Sequence, residues 1–257
     1  YGGLNPYTNP TLPADPTSIA ATVNPVCSGA ATQLTASGAE GTVYWYTSSC
    51  GGTFVTTGNP ITVNPTVSTT YYARNYSNSE YSTGCANITV TVYSPLQLPV
   101  AGSNTYIYDG TVKTATATVG TGETVDWYAD ATGGTAISAP SGTNVGTYSA
   151  YAETRNLTTG CVSASRTLIS LQITAKDIVI TGSAGQTKVF GNSDPAQFTY
   201  TFAPALIGSD VITGSMSRVS GENVGNYAYT IGTLSAGTNY SLSVAAAPTF
   251  SITAKAI

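Results

Sequence analysis

The sequence contains no histidine. That excludes every Ser-His-Asp or Cys-His arrangement for nucleophilic catalysis, and it leaves a zinc site only thiolates and carboxylates as ligands. Charge is scarce. Asp, Glu, Lys and Arg make up 8% of the 257 residues, where globular chains usually carry roughly a quarter. With 8 basic and 12 acidic residues and a net charge of −4, there is no basic stripe to meet a phosphate backbone, so nucleic acid is not expected as a partner. No run of about 18 apolar residues occurs, so no helical membrane span is expected. The four cysteines form no CxxC pair. The Gly-rich stretches SGTNVG and GSAGQ lack the Lys-Ser/Thr of a phosphate loop. No secretory signal opens the chain, as expected of a processed protein or of an excerpt from a longer one.

What is abundant points one way. Val, Ile, Thr and Tyr take the place of charge, and these are strand formers. Apolar residues reach 41%, enough for packed cores, and 27 Gly with 13 Pro suit many short strands joined by turns. No stretch keeps a helical period. Residues 1–16, YGGLNPYTNPTLPADP, lack alternation and read as a Pro-rich linker or arm. From Thr17 on, short runs such as ATQLTAS, TVYWYTS, TTYYARNY and ANITVTVY alternate with turn residues, which argues for a β-sandwich.

Two phrases then recur at one offset. Ile-Thr-Ala-Lys stands at 173–176 and at 252–255, and SGTNVGTY at 141–148 returns as SGENVGNY at 220–227. Both shifts are 79 (252 − 173 and 220 − 141), a repeat of domain size. VDWYADATGGT likewise aligns with VYWYTSSCGGT at a shift of 82 (127 − 45). The expected organisation is all-β: three tandem Ig-like β-sandwich domains over 17–94, 95–174 and 175–253, in an elongated array, with 254–257 starting a further repeat. Ile-Thr-Ala-Lys then marks a junction. Leu171, Ile173, Phe250 and Ile252 should be buried, and Lys176 and Lys255 exposed.

At these residues the chain resembles known families. VCSGAATQLTASGAEGTVYWYTSSCGGTFVTTG followed by GCANITVTVY resembles the Ig-like repeats of large Bacteroidota surface proteins. YDGTVKTATAT is similar to the start of a YDG-type repeat. KVFGNSDPAQFTYTF, with RVSGENVGNYAYTIGTLSAGTNYSLSV and FSITAK, is similar to the MBG-type bacterial Ig-like repeat. The resemblance implies secreted, often very long adhesins that carry a sorting signal at a distant C-terminus.

Few residues carry candidate chemistry. Trp45 and Trp127 could stack on sugar rings, but in VDWY the polar Asp126 points away from Val125 and Trp127, so both tryptophans are expected in the core. Tyr71, Tyr148 and Tyr227 open corresponding strands and are assigned to the core as well. Tyr44, Tyr46 and Tyr128 alternate away from the tryptophans and are the candidate surface contacts, for glycan, protein or a neighbouring copy. Asp109 and Asp177 fall where calcium at a junction would need acids, but no EF-hand or RTX-like spacing surrounds them, so no cofactor or metal is expected. No pair of acids suits glycoside cleavage, and no enzyme is expected.

Scattered cysteines in such a chain fit an oxidising, extracellular setting. The assigned turns favour a Cys27–Cys50 disulfide; the alternative joins Cys161 to Cys27 or Cys50 across a junction, leaving Cys85 for a preceding repeat. The expected function is a stalk segment of a cell-surface adhesin or extracellular fibre, with neighbouring repeats as its partners. The rival readings are a carbohydrate-binding module that uses exposed tyrosines on surface glycans, an accessory region of an enzyme, and a self-assembling filament subunit whose arm 1–16 pairs with another copy.

Overall fold

The computed structural model of the chain describes residues 11–256. Among them there are strands, turns and coil but no helix, hence none long and apolar enough to cross a membrane; that says nothing of strands. Contacts divide the chain into two compact units. One holds the residues up to Leu98 with Gly120–Thr124 and Thr154–Ala164; the other holds Pro99–Val119, Val125–Glu153 and the residues from Ser165 on.

In the first unit, β1 (Ser18–Ala21), β2 (Thr32–Ser37) and β5 (Ile61–Val63) form one sheet, ordered β1-β2-β5. Strands β3 (Thr42–Thr47), β4 (Thr53–Thr57), β6 (Thr69–Ser77), β7 (Glu80–Tyr81) and β8 (Ala86–Val90) form the other, in which β6 pairs with β3, β7 and β8. The period of two decides what is buried. In β2, Thr32, Leu34 and Ala36 face inward while Gln33, Thr35 and Ser37 face out. Leu34, Val43, Trp45, Val63, Tyr71 and Val90 close the core. Part of the expected arm packs here. Asn75 Nδ2 donates to the Ala14 carbonyl (2.8 Å) and Gly84 N donates to Asp15 Oδ1 (2.6 Å), so 14–16 belong to the sandwich rather than to a linker. Residues 1–10 of that arm lie outside the described residues.

The second repeat contributes β9 (Val100–Ala101), β10 (Thr105–Ile107), β11 (Lys113–Thr114), β12 (Ala117–Thr118), β13 (Glu123–Tyr128), β14 (Ser141–Gly142), β15 (Gly146–Asn156) and β16 (Thr167–Thr174). Its main sheet runs β10-β16-β15-β13. The third contributes β17 (Lys176–Gly182), β18 (Thr187–Val189), β19 (Tyr200–Ala203), β20 (Ser217–Arg218), β21 (Gly225–Tyr227), β22 (Tyr229–Thr230), β23 (Tyr240–Val244) and β24 (Phe250–Thr253), with sheets β19-β17-β23 and β18-β24-β21.

The offset read in the sequence is a register in space. Parallel β10–β16 sets Tyr106 opposite Ile173, and parallel β18–β24 sets Lys188 opposite Ile252. Antiparallel β15–β16 sets Tyr148 opposite Leu171, and β21–β24 sets Tyr227 opposite Phe250. Even side chains that bond the backbone correspond: Asn104 pairs with both backbone groups of Thr116, and Gln186 with both of Thr199. One hydrophobic cluster runs through both repeats, from Trp127, Ile169, Leu171 and Ile173 to Ile178, Ile180, Phe250 and Ile252. Lys255 is exposed, but Lys176 is only partly so. Its ammonium donates to the Ala205 carbonyl (2.9 Å), which draws its stem along the surface.

Candidate functional site

The most elaborate polar construction in the second unit lies where one repeat passes into the next. A single residue, Ala175, separates β16 from β17. Tyr108, the first residue of YDG, is buried, and its ring meets Tyr240 edge to face at 5.4 Å. Both phenols donate to one oxygen of Asp210, at 3.1 Å from Tyr108 and 2.6 Å from Tyr240. Tyr240 also accepts the Ile207 N–H at 2.8 Å. Burial first, and then the bond to Asp210, push the Tyr240 phenol up to about 12 and raise Tyr108 as well. Asn239 completes the seam. Its Oδ1 accepts Val145 N (2.9 Å), its Nδ2 donates to Asn144 Oδ1 (3.0 Å), and its carbonyl accepts Lys176 N (3.0 Å). Gly110 has φ 77°, and a Cβ there would stand 2.5 Å from Ile207 Cγ2, so the YDG turn needs glycine for both its twist and its clearance.

The cysteines correct the first sequence expectation. The bonds are Cys27–Cys161 and Cys50–Cys85, with Cα–Cα distances of 5.5 and 5.7 Å. Cys27–Cys50 is not formed, because Cys85 does not sit at the far tip of a loop. The turn after β6 is made at Asn78 and Ser79, both with positive φ, and β7 leads the chain back. Cys85 therefore directly precedes β8, whose first residue, Ala86, lies opposite Ala73 of β6. Cys161 falls in the segment Thr154–Ala164, which packs in the first unit with Cys27. Beside this bond a hollow of about 360 Å³ is lined by Val23, Pro25, Val26, Ala30, Tyr93 and Thr158 among others. No carboxylate, ammonium or guanidinium lines it; its polar side chains are the hydroxyls of Tyr93, Thr158 and Thr159.

The candidate surface tyrosines separate. Tyr44 stays partly exposed in an aromatic group on the β3–β4–β6–β7 face, 5.2 Å from Tyr81, 5.4 Å from Tyr76 and 5.9 Å from Phe54. Phe54 is 55% exposed. Tyr46, expected at the surface, is buried, because this aromatic face covers itself: Phe54 packs on its ring at 6.1 Å. Tyr128 is only partly exposed, with the Arg166 guanidinium 3.3 Å over its ring. Trp45 and Trp127 are buried, and the Trp45 indole N–H donates to the Gly58 carbonyl (2.7 Å). Tyr71 is buried, whereas Tyr148 and Tyr227 pack against the core only partly. Their hydroxyls explain the difference by reaching back to the carbonyls of Asn144 (3.0 Å) and Asn223 (2.7 Å), a tyrosine corner in each repeat. Gly142 and Gly221 lie under these rings, where a Cβ would collide. Asp109 holds Thr111 and Lys113, Asp177 lies exposed in β17, and no three acidic or thiol groups converge on a cation among the described residues.

With this geometry in hand, two family descriptions fit. Residues 13–94 match the Ig-like domain, CHU_C associated, and residues 178–251 match the MBG domain (YGX type). The chain is a tandem of Ig-like and MBG-type repeats. No curated protein matches it in sequence. Among solved structures it is similar to the I-band fragment I67–I69 of titin, at 12% identity over 93% of this chain and 99% of that one, with a TM-score of 0.32. It is also similar to the N-terminal four Ig domains of Dscam1 isoform 4.44, at 15% identity over 93% and 75%, TM-score 0.21. A third is the FN1–FN3 region of chicken CNTN1, at 12% identity over 80% of each chain, TM-score 0.21.

The MBG repeat holds a second polar construction that sequence reasoning missed. Arg218 grips Asp194 with two nitrogens, at 2.8 and 2.9 Å, and reaches Glu222 at 2.8 Å. Lys188 bridges the same two carboxylates, at 2.8 Å from Asp194 and in close contact with Glu222. The side chains of Arg218 and Lys188 are each only 5% exposed, and Arg218 lies over the Tyr227 ring at 4.9 Å. The Arg218 bond, then Lys188, hold Asp194 below its usual range, and Lys188, then Arg218, do the same for Glu222. Arg218 and Glu222 stand four residues apart, but Lys188 and Asp194 come from other segments, so no local pattern marks the cluster.

Proposed function

We propose that this chain is a segment of the stalk of a secreted cell-surface adhesin or extracellular fibre, of the kind its Bacteroidota-type repeats suggest, and that it spaces a distant adhesive region from the cell. The observation that carries this reading is the passage from the second repeat to the MBG repeat. One residue joins β16 to β17, and a single core continues through both. A joint of this kind, held by Asp210, Tyr108, Tyr240 and Asn239, resists bending, which is what a spacer requires. Disulfides support an extracellular setting. A spacer contains no ligand site of its own, so a glycan array probed with the purified chain should show no binding. Force spectroscopy should show stepwise unfolding of folded repeats.

The second reading is carbohydrate binding. It is favoured by Phe54, exposed beside Tyr44, which in turn meets Tyr76 and Tyr81, since aromatic faces stack on sugar rings. Glycan retention that disappears in Phe54→Ala would decide for it and against the spacer.

A further inference from the structure

The second repeat and the MBG repeat end in the same way, but only one of these ends is covered. At the end of the second repeat, Tyr108 N donates to the Thr174 carbonyl at 2.9 Å. At the end of the MBG repeat, Phe190 N donates to the Thr253 carbonyl at 2.9 Å. Both follow the parallel pairing of β10 with β16 and of β18 with β24, so Phe190 is the counterpart of Tyr108. By the same argument Val224 is the counterpart of Val145, because Gly146 and Gly225, the next residues, lie opposite Ile173 and Ile252. In the second repeat this seat is filled. Tyr108 is 8% exposed under Tyr240, and Val145 packs against the core with its N–H on Asn239. In the MBG repeat Phe190 is 46% exposed and Val224 is 56% exposed.

We propose that Phe190 and Val224 form the docking seat for a further β-sandwich of the MBG repeat's own kind. The argument is internal. The one seat of this construction that is occupied carries an MBG repeat, which presents Ile207, Tyr240 and Asn239 to it. Phe190 has no hydroxyl to offer a carboxylate, so the occupant would meet it with apolar loop residues, as Ile207 meets Gly110. The tyrosine corner, Tyr227 onto Asn223, is already formed and holds Val224 in place, so the seat is preorganised.

The proposal rests on the reading of the chain as an array of repeats, but its readout is separate. Glycan binding would sink the spacer reading and leave the measurement below untouched. Phe190→Trp supplies an exposed indole in a protein whose own Trp45 and Trp127 are buried. Its accessibility to acrylamide is compared in the 257-residue chain and in a chain extended after Thr253 by a second copy of residues 175–253. The expected result is a several-fold fall in quenching and a blue-shifted emission in the extended chain. Val224→Asp should reverse both there, while leaving the melting temperature of the 257-residue chain unchanged. Equal quenching in the two chains, indifference of the extended chain to Val224→Asp, or an added repeat that stays unfolded would overturn the proposal. So would quenching that falls with concentration in the 257-residue chain itself, since a second copy would then occupy the face.

Discussion

The Ig-like repeat of the first unit and the MBG repeat of the second are sandwiches of similar size, stabilised by different means. A domain of about 80 residues buries too little surface for its core alone to hold it securely. The Ig-like repeat adds covalent bonds, through Cys27 and through Cys50–Cys85. The MBG repeat contains no cysteine. It adds the Lys188–Asp194–Arg218–Glu222 cluster and a core that continues into its neighbour. The first means depends on redox conditions and hardly on pH; the second depends on pH and not on redox.

Reduction should therefore separate the two repeats, and this is the largest effect expected. Cys27–Cys161 closes 134 residues and Cys50–Cys85 closes 35. The chain-entropy argument assigns such loops about 4–5 kcal/mol each, less for the larger one while the smaller, nested within it, stays closed. Calorimetry with and without a thiol reductant should show the transition that carries Trp45 fluorescence move sharply down, with the MBG transition in place. A common shift of both would end the comparison. Peptide mapping of the oxidised protein should recover the pairs Cys27–Cys161 and Cys50–Cys85.

Next in size come the core aromatics. Trp45→Ala and Phe250→Ala each remove a fully buried ring, at a cost of about 3–5 kcal/mol. If the disulfides carry the first unit, Trp45→Ala should stay folded when oxidised and unfold when reduced. Phe250→Ala should be indifferent to the reductant. Circular dichroism in the two redox states distinguishes these outcomes.

How far the sequence reached follows the same division. The 79-residue offset was legible because identical phrases must take identical registers, and β16 with β24 show the result residue by residue. The burial of Trp127 followed from alternation, and that of Trp45 from its alignment with Trp127. What failed depended on where the chain goes between strands. Cys50–Cys85 hinges on the turn at Asn78 and Ser79, where positive φ folds the chain back into β7; Asn and Ser are turn formers, but they do not say where the chain goes after the turn. Tyr46 hinges on Phe54 covering it from the neighbouring strand. The junction formed by Tyr108, Asp210 and Tyr240 joins residues 102 and 30 positions apart, and no local pattern foretells it.

A smaller effect is expected from acid and from Asp194→Ala. Asp194 and Glu222 are held below their usual range by Arg218 and Lys188. A depressed carboxylate contributes stability that is present above its unfolded value of about 4 and is lost as pH falls through the folded one. The MBG transition should accordingly drop below about pH 4, more than the disulfide-bonded one. Asp194→Ala, which leaves Arg218 with one of its two carboxylate partners, should lower the MBG melting temperature by several degrees at pH 7 and flatten that acid dependence. An acid profile unchanged in Asp194→Ala would mean that the cluster does not set it.

The smallest effect tests the junction at the other end of the pH scale. The Tyr240 phenol is pushed up to about 12, by burial first and then by its bond to Asp210. A raised phenol favours the neutral form in the fold, so its contribution is complete below the unfolded value of about 10. It is lost as pH rises toward 12, when a phenolate would face the Asp210 carboxylate. Tyr240→Phe removes that ionisation, but it also removes the bond to Asp210 and leaves the Ile207 N–H without its acceptor. At neutral pH the loss should be about 1–2 kcal/mol. Between pH 9 and 12 the variant should lose less further stability than the native chain, so their melting temperatures should converge as the solution becomes alkaline. Parallel curves would place the alkaline sensitivity in other tyrosines and leave the Asp210 junction with no part in it.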